Sequence, residues 1–238
     1  MKPQLFNDSL PKVIFFDAMG TLFDLKSSVG EIYQQFALKY GVEINAIELN
    51  NAFVDSYQAA PSLAFPTTEL DTLVRQEFIW WKNIVQKTFE RVEVLDLFSD
   101  FTEFFQELYY YFASEQPWYI YPDVIPCLQY WQKQKIQLGI ISNFDSRLIT
   151  VLKALDLEHF FTSVTISSSA GFAKPDQDIF QIALKKHGFT AQQAWHIGDS
   201  KNEDYLGAKN MGIHAFWLNR DGHSLNLENQ LPNLSSLG

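Results

Sequence analysis

At 238 residues, with 47% hydrophobic side chains and 21 Phe, the chain is long enough to bury one large core or a core plus a smaller insertion. A formal net charge of -10, with no run of Lys or Arg, argues against nucleic acid or an anionic membrane surface as the main partner. The single cysteine, Cys127, excludes an intramolecular disulfide framework and reads as an apolar filler in a reducing compartment.

The opening residues, Met1 to Asp8, lack the apolar stretch of a signal peptide. No window approaches the ~20 apolar residues of a membrane span. The expectation is a cytoplasmic protein. Val13–Phe16 is an apolar run ending at Asp17 and Gly20, which predicts a strand buried on both faces that opens into a polar loop. Residues 25–115 have another texture. Apolar spacing in Ile32, Phe36 and Tyr40, and again in Phe78, Trp81, Ile84, Val85 and Phe89, is helical, with Pro61 and Pro66 marking an internal loop. The aromatics around Trp80-Trp81 and Tyr109-Tyr110-Tyr111 are read as the core and docking face of this segment, or as the lining of a substrate pocket.

After Gln116-Pro117 the strand grammar returns. Residues 124–134 predict a helix, 136–141 a strand running into Ser142-Asn143, 146–155 and 178–187 helices. Residues 194–197 predict a strand into Gly198-Asp199-Ser200, and His214–Leu218 a strand into Asn219-Arg220-Asp221. Residues 224–238 read as a polar, loosely held tail. This alternation predicts an α/β fold, a Rossmann-like parallel sheet core with helices on both faces. The expected domains are a core of residues 1–24 and 116–238 and an inserted helical domain of residues 25–115. Ligands of such sheets bind beyond the carboxyl ends of the strands, so the polar segments converge on one edge.

Four of those segments carry chemistry: Asp17 to Thr21, Ser142-Asn143, Lys174-Pro175, and Gly198-Asp199-Ser200 followed by Glu203-Asp204. A strand-end carboxylate can be a metal ligand or a nucleophile, splitting one hard phosphoryl transfer into two easier steps. It then needs a metal and a cation against the phosphoryl oxygens it would otherwise repel. Asp199 and Asp204 can build the oxygen-rich site that magnesium prefers. Lys174 supplies the cation, and Ser142 supplies a neutral donor. Asp24, Asp145 and Glu203 read as capping or solvated carboxylates.

The quartet and its order resemble the four signature motifs of the haloacid dehalogenase superfamily. The segments Phe16-Asp17-Ala18-Met19-Gly20-Thr21-Leu22-Phe23, Gly171-Phe172-Ala173-Lys174-Pro175-Asp176 and Ile197-Gly198-Asp199-Ser200 to Asp204, with Gly207-Ala208, carry it. The resemblance covers most of residues 12–25 and 117–222, and the helical insertion is similar in placement to the family's type 1 cap. It implies Asp17 as nucleophile and magnesium ligand, and the Met19 carbonyl as a second ligand. Ser142 would bind the phosphoryl group, Lys174 would steady that group and Asp17, Asp199 would hold the metal, and Asp204 would hold it directly or through water. Thr21 and Asn143 match positions that support the loop and the phosphate site. The implied cofactor is Mg2+, and the implied partner is a small phosphorylated substrate. No oligomeric state is specified.

The first motif departs from the family's phosphatases, which carry an Asp two residues after the nucleophile as acid and base. Here that residue is Met19, and losing a positioned acid/base group costs about 10²–10⁴ in rate. Three readings stay open. One is a phosphohydrolase or transferase for good leaving groups, or with its acid/base group on the cap or the substrate. Another is a dehalogenase, or a phosphonatase-like lyase using Lys82 or Lys87. The third is a phosphate- and metal-binding regulatory protein with little turnover.

Overall fold

The computed structural model describes residues 10–67, 69–220, 222 and 229–237. Residues 1–9, Asp221, 224–228 and Gly238, on which parts of the leader, strand-end and tail readings fall, lie outside them. The first strand, β1 (Val13–Phe16), is fully buried along its length. Its side chains alternate between two cores, as a period of two requires. Ile14 and Phe16 join Leu128, Trp131, Leu148 and Leu152 on one face, while Val13 and Phe15 join Ile179, Phe180, Ala183 and Ala208 on the other.

The chain next forms β2 (Phe23–Leu25) and four helices, α1 (Val29–Lys39), α2 (Ala46–Gln58), α3 (Leu70–Arg91) and α4 (Phe101–Tyr111). Each start has a local reason. Ser28 and Glu31 form a capping box, Asn45 accepts from the N–H groups of Ile47 and Glu48, and Asp100 accepts from Glu103, relieving the unpaired N–H groups of a first turn. The helices bury their own aromatic core around Phe36, Phe89, Phe104 and Phe105. Both ends of the segment meet where β2 pairs antiparallel with β3 (Trp118–Ile120), Leu25 opposite Trp118.

The rest alternates: α5 (Val124–Lys133), β4 (Gln137–Ser142), α6 (Arg147–Ala154), β5 (Ser163–Ile166), α7 (Ser167–Ala170), α8 (Gln177–His187), β6 (Ala194–Gly198), a wide helical turn (Lys201–Leu206), α9 (Gly207–Asn210), β7 (His214–Leu218) and β8 (Gln230–Leu231). Six strands make one parallel sheet in the order β5-β4-β1-β6-β7-β8. The α/β reading of the sequence therefore holds, with corrections. The strand β5 went unread because its four residues, Ser-Val-Thr-Ile, are only half apolar. The tail reading fails for residues 229–237. Leu231, Leu234 and Leu237, spaced by three, are buried in the core, and the Leu234 N–H donates to Asp123 Oδ2 at 2.6 Å. No helix among the described residues is long and apolar enough to cross a membrane.

The chain winds outward from β1 in both directions, through β4 to β5 and through β6 to β8. The crevice between oppositely wound halves is where such sheets bind ligands. Phe16 is level with Ile140 on one side and Ile197 on the other. One or two residues further along, Asp17, Ser142 and Asp199 stand side by side at the carboxyl ends of the three central strands.

Candidate active site

The turn after β1 is tight. The Ala18 carbonyl accepts N–H groups of Leu22 at 2.7 Å and Thr21 at 3.3 Å, and the Gly20 N–H donates to the Phe23 carbonyl at 2.9 Å. Gly20 has φ +81°, and a Cβ there would stand 2.6 Å from the Asp199 carboxyl, so the turn requires glycine. Gly198 is constrained likewise, since its Cβ would come within 2.1 Å of Asp204 Cγ. Both close approaches let carboxylates crowd the strand ends.

At the centre is Lys174, buried, with Nζ donating to Asp17 Oδ1 at 2.7 Å and to Asp204 Oδ1 at 2.6 Å. Asp204 is also bonded to His196 Nε2 at 2.9 Å and accepts the Ser200 N–H at 3.0 Å on its other oxygen. The first contact places a proton on Nε2, and His196 Nδ1 has no partner among the described residues. Oxygens of Asp17, Asp199 and Asp204 lie within 4.8 Å of one another. Ser142 is buried beside them and lines the same cavity.

The electrostatics follow from this crowding. Burial alone would raise Asp204, but the Lys174 ammonium and His196 outweigh it and hold that carboxyl well below the usual range. Burial opposes the charge on Lys174, and the Asp17 and Asp204 carboxylates more than restore it, so the ammonium is retained. Asp17 is raised by burial and by Asp204, against the pull of Lys174 and the Ser142 hydroxyl. Asp199 faces the cavity, and the protein crowded around it, then Asp17 and Asp204, push its carboxyl up to about 7. Three carboxylates against one ammonium leave a surplus of negative charge, which a divalent cation would relieve.

Two sequence-predicted phosphate-site residues stand behind the cavity surface or are already engaged. Thr21 is fully buried and donates to Asp199 Oδ1 at 3.3 Å. Asn143 accepts the Lys174 backbone N–H at 2.7 Å, and its amide nitrogen donates to the Lys174 carbonyl and to Glu203 Oε2, both at 3.0 Å. The one holds Asp199 and the other holds the lysine loop. Met19 lines the cavity with 38% of its surface exposed. Arg220, bonded to Asp123 and to the Thr21 carbonyl at 2.8 Å, pins the turn from outside.

The cavity measures about 420 Å³, with Asp17, Ser142 and Asp199 on its floor and rings of the helical segment as its wall. Trp81 and Tyr109 line it, whereas Trp80 is buried with its indole N–H on the Pro61 carbonyl, and Tyr110 faces solvent. The aromatic groups thus divide between wall, core and surface.

The reading of Asp145 as solvated is wrong. It is fully buried, its carboxylate accepting from the Arg147 Nη2 at 2.6 Å and from the Trp81 indole. Its capping part holds, since Oδ1 also accepts the Arg147 N–H at 2.9 Å. Glu203 is half-buried on Asn143 and raised by burial, and Asp24 accepts the Tyr121 hydroxyl at 2.7 Å. Glu77 was missed altogether. It is buried on α3 and bonds Ser146, its backbone N–H at 3.0 Å and its hydroxyl, tying the helical segment to the loop after β4. Its signal was present: an acid on the stripe Leu73, Glu77, Trp80, Ile84, all buried. Cys127 is buried in the core, which pushes its thiol up to about 12.

A model of the haloacid dehalogenase-like hydrolase family matches residues 11–212. The chain is 33% identical over 205 residues to haloacid dehalogenase-like hydrolase domain-containing protein 3 of Bos taurus, covering 86% of this chain and 80% of that one. It is 26% identical to the rhythmically expressed gene 2 protein of Drosophila melanogaster over 94% and 92% of the two chains. Among solved structures, a HAD phosphatase from Thermococcus onnurineus superposes with a TM-score of 0.66 at 23% identity, covering 95% of both chains. The L-2-haloacid dehalogenase from Xanthobacter autotrophicus gives 0.65 at 16%, covering 96% and 97%. Phosphatases and dehalogenases thus share this fold.

Proposed function

The chain belongs to the haloacid dehalogenase-like hydrolase family, and from that membership we propose that it is a magnesium-dependent phosphohydrolase acting through an aspartyl-phosphate on Asp17. The observation that carries this is the meeting of Asp17, Asp199 and Asp204 within 4.8 Å around one buried Lys174. The donor set is all carboxylate oxygen, with the Met19 carbonyl on the same turn, and such hard donors suit magnesium. Asp17, Met19 and Asp199 would hold the ion, and Asp204, both of whose oxygens are engaged, would act through water. Bound there, magnesium would neutralise phosphoryl oxygens.

The chain's own residues do the rest. Lys174 keeps Asp17 oriented and favours its charged form against the burial that raises it, Ser142 offers its hydroxyl to the phosphoryl group, and Asn143 fixes the lysine backbone. Residues 25–115 act as a cap over a core of residues 1–24 and 116–238, excluding water from Asp17. The substrate is a small phosphorylated metabolite, and the site of action is the cytoplasm.

The same triad argues against a dehalogenase, which resolves its Asp ester without a metal and has little use for the acid pair Asp199 and Asp204. For a Schiff-base lyase a cap lysine is needed, and neither Lys82, which bonds Thr102, nor Lys87 lines the cavity. Met19 favours one other reading: a regulatory protein that is phosphorylated and released slowly. A magnesium-dependent screen of phosphorylated metabolites, with acyl and aryl phosphates, against wild type and Asp17→Asn tests the proposal. Turnover by wild type alone is expected; equal activity in both would end it.

A further inference from the structure

We propose that this site takes an aryl phosphate whose ring carries no second anion, an inference that rests on the phosphohydrolase reading and names its substrate class. Above Asp17 and Ser142 the cavity wall is Tyr33, Phe53, Trp81, Phe105, Phe112 and Trp118. Tyr33 lies 5.7 Å from Phe53 and 6.4 Å from Phe112, and Phe112 lies 6.1 Å from Trp118, centroid to centroid. These rings pack edge to face on one another, and a flat ring laid against the wall they form meets aromatic faces and edges. The indole N–H groups of this wall are occupied, that of Trp81 by Asp145 and that of Trp118 by the Phe112 carbonyl at 3.2 Å, so these two side chains present ring surface and no free donor.

The charge on the wall excludes a second anion. Among the described residues lining the cavity the one cation is Arg147, the natural candidate to receive a distal carboxylate or phosphate. All three of its guanidinium nitrogens are engaged: Nε on Asp145 at 3.0 Å, Nη2 on Asp145 at 2.6 Å, Nη1 on the Tyr109 carbonyl at 3.1 Å. Its Cζ lies 3.9 Å from the Tyr109 ring centroid. Asp24 and Glu203 add negative charge nearby. Arg147 is therefore a wall element that binds the cap to Asp145, and a substrate anion arriving beside it would meet no free counter-charge.

The chemistry agrees. Asp17 Oδ forms a bond to phosphorus as the P–O(aryl) bond breaks and its electron pair leaves on a phenolate, which takes a proton from water. Water then attacks phosphorus, the P–O(Asp17) bond breaks, and phosphate, a proton and the free carboxylate result. A phenol, with a pKa about 10 as in tyrosine, leaves without the acid that Met19 cannot provide. An alkoxide, as basic as hydroxide from water of pKa about 16, does not. The cavity, about 420 Å³, is at the small end of the roughly 300–1,000 Å³ of ligand pockets, room for a phosphoryl group and one or two fused rings.

Binding and turnover test the two readings separately, on the full chain with magnesium. Phenylphosphonate, which is not hydrolysed, is expected to bind at least tenfold tighter than methylphosphonate by calorimetry, and 4-carboxyphenylphosphonate to lose that gain. Val29→Asn, a half-buried change in the wall, is expected to narrow the phenyl-to-methyl ratio at least threefold. Equal affinity for the two phosphonates overturns the inference, even where acetyl phosphate is hydrolysed in an Asp17-dependent way and the phosphohydrolase reading stands. Tighter binding of the carboxylated ring overturns it too, by showing Arg147 available. Ring-dependent affinity with no turnover of phenyl or acetyl phosphate keeps the aryl pocket and removes the hydrolase.

Discussion

Replacing Lys174 with Met removes the one charge that balances Asp17 and Asp204 while keeping a side chain of similar length. Each contact, at 2.7 and 2.6 Å, is worth about 6 kcal/mol of gross attraction at an effective dielectric near 20. Desolvation of three buried groups offsets most of that. What truncation exposes is the cost of unpaired buried charge, about 3–5 kcal/mol. The loss has a definite pH dependence. In wild type the depressed Asp204 carboxyl contributes stability above its unfolded pKa, and that contribution is lost as pH falls. In the variant the buried carboxyls are raised, so the folded state holds protons that the unfolded state has released, and stability falls as pH climbs from about 4 upward. The deficit should therefore be wider at pH 8 than at pH 5. Magnesium at about 100 times its dissociation constant should return about 2.7 kcal/mol. Urea unfolding followed by tryptophan fluorescence at both pH values, with and without magnesium, measures all of this. A variant within about 1 kcal/mol of wild type at both pH values would refute the picture of Lys174 as the neutralising partner.

Met19 gives a kinetic test, because its exposure leaves room for a carboxylate. Wild type mixed rapidly with an aryl phosphate should give a burst near one equivalent, and Met19→Asp should speed the second phase about 10²-fold; no burst and no gain would place the acid/base group elsewhere. Asp199, pushed up to about 7, must release its proton to bind a cation, so magnesium affinity should be about tenfold weaker at pH 6 than at pH 8 by calorimetry. Asp199→Asn should weaken magnesium at least tenfold and flatten that pH dependence, with the circular dichroism of the fold unchanged; unaltered affinity would remove Asp199 from the metal site.

Much of the core was legible because buried parallel strands announce themselves as apolar runs. Val13–Phe16 and His214–Leu218 appear with the expected ends, and their carboxyl termini converge because the sheet winds outward from β1 in both directions. Short elements were not legible. The three-residue strands β2 and β3 exist only through each other, and β8 depends on β7. Individual carboxylates separated by environment, which sequence does not carry. Asp145 looks like any helix-start acid until Trp81, 64 residues away, closes over it. Asn143 and Thr21 were read from motif position as phosphate-site groups, and their hydrogen bonds to Lys174 and Asp199 are contacts that only the folded turns create. The leucines of the C-terminal segment are masked in the sequence by the polar residues between them, and they become one buried face only when β8 pairs with β7.

The central claim is that Asp17 carries the phosphoryl group between substrate and water. The direct measurement is an acid-quenched reaction of the magnesium-loaded protein with an aryl or acyl phosphate, followed by peptide mass spectrometry across residues 13–26. One phosphoryl mass on Asp17, chased away on dilution and missing from Asp17→Asn, is the expected result. Turnover with no phosphoryl group on Asp17 at any quench time, and undiminished activity in Asp17→Asn, would contradict it.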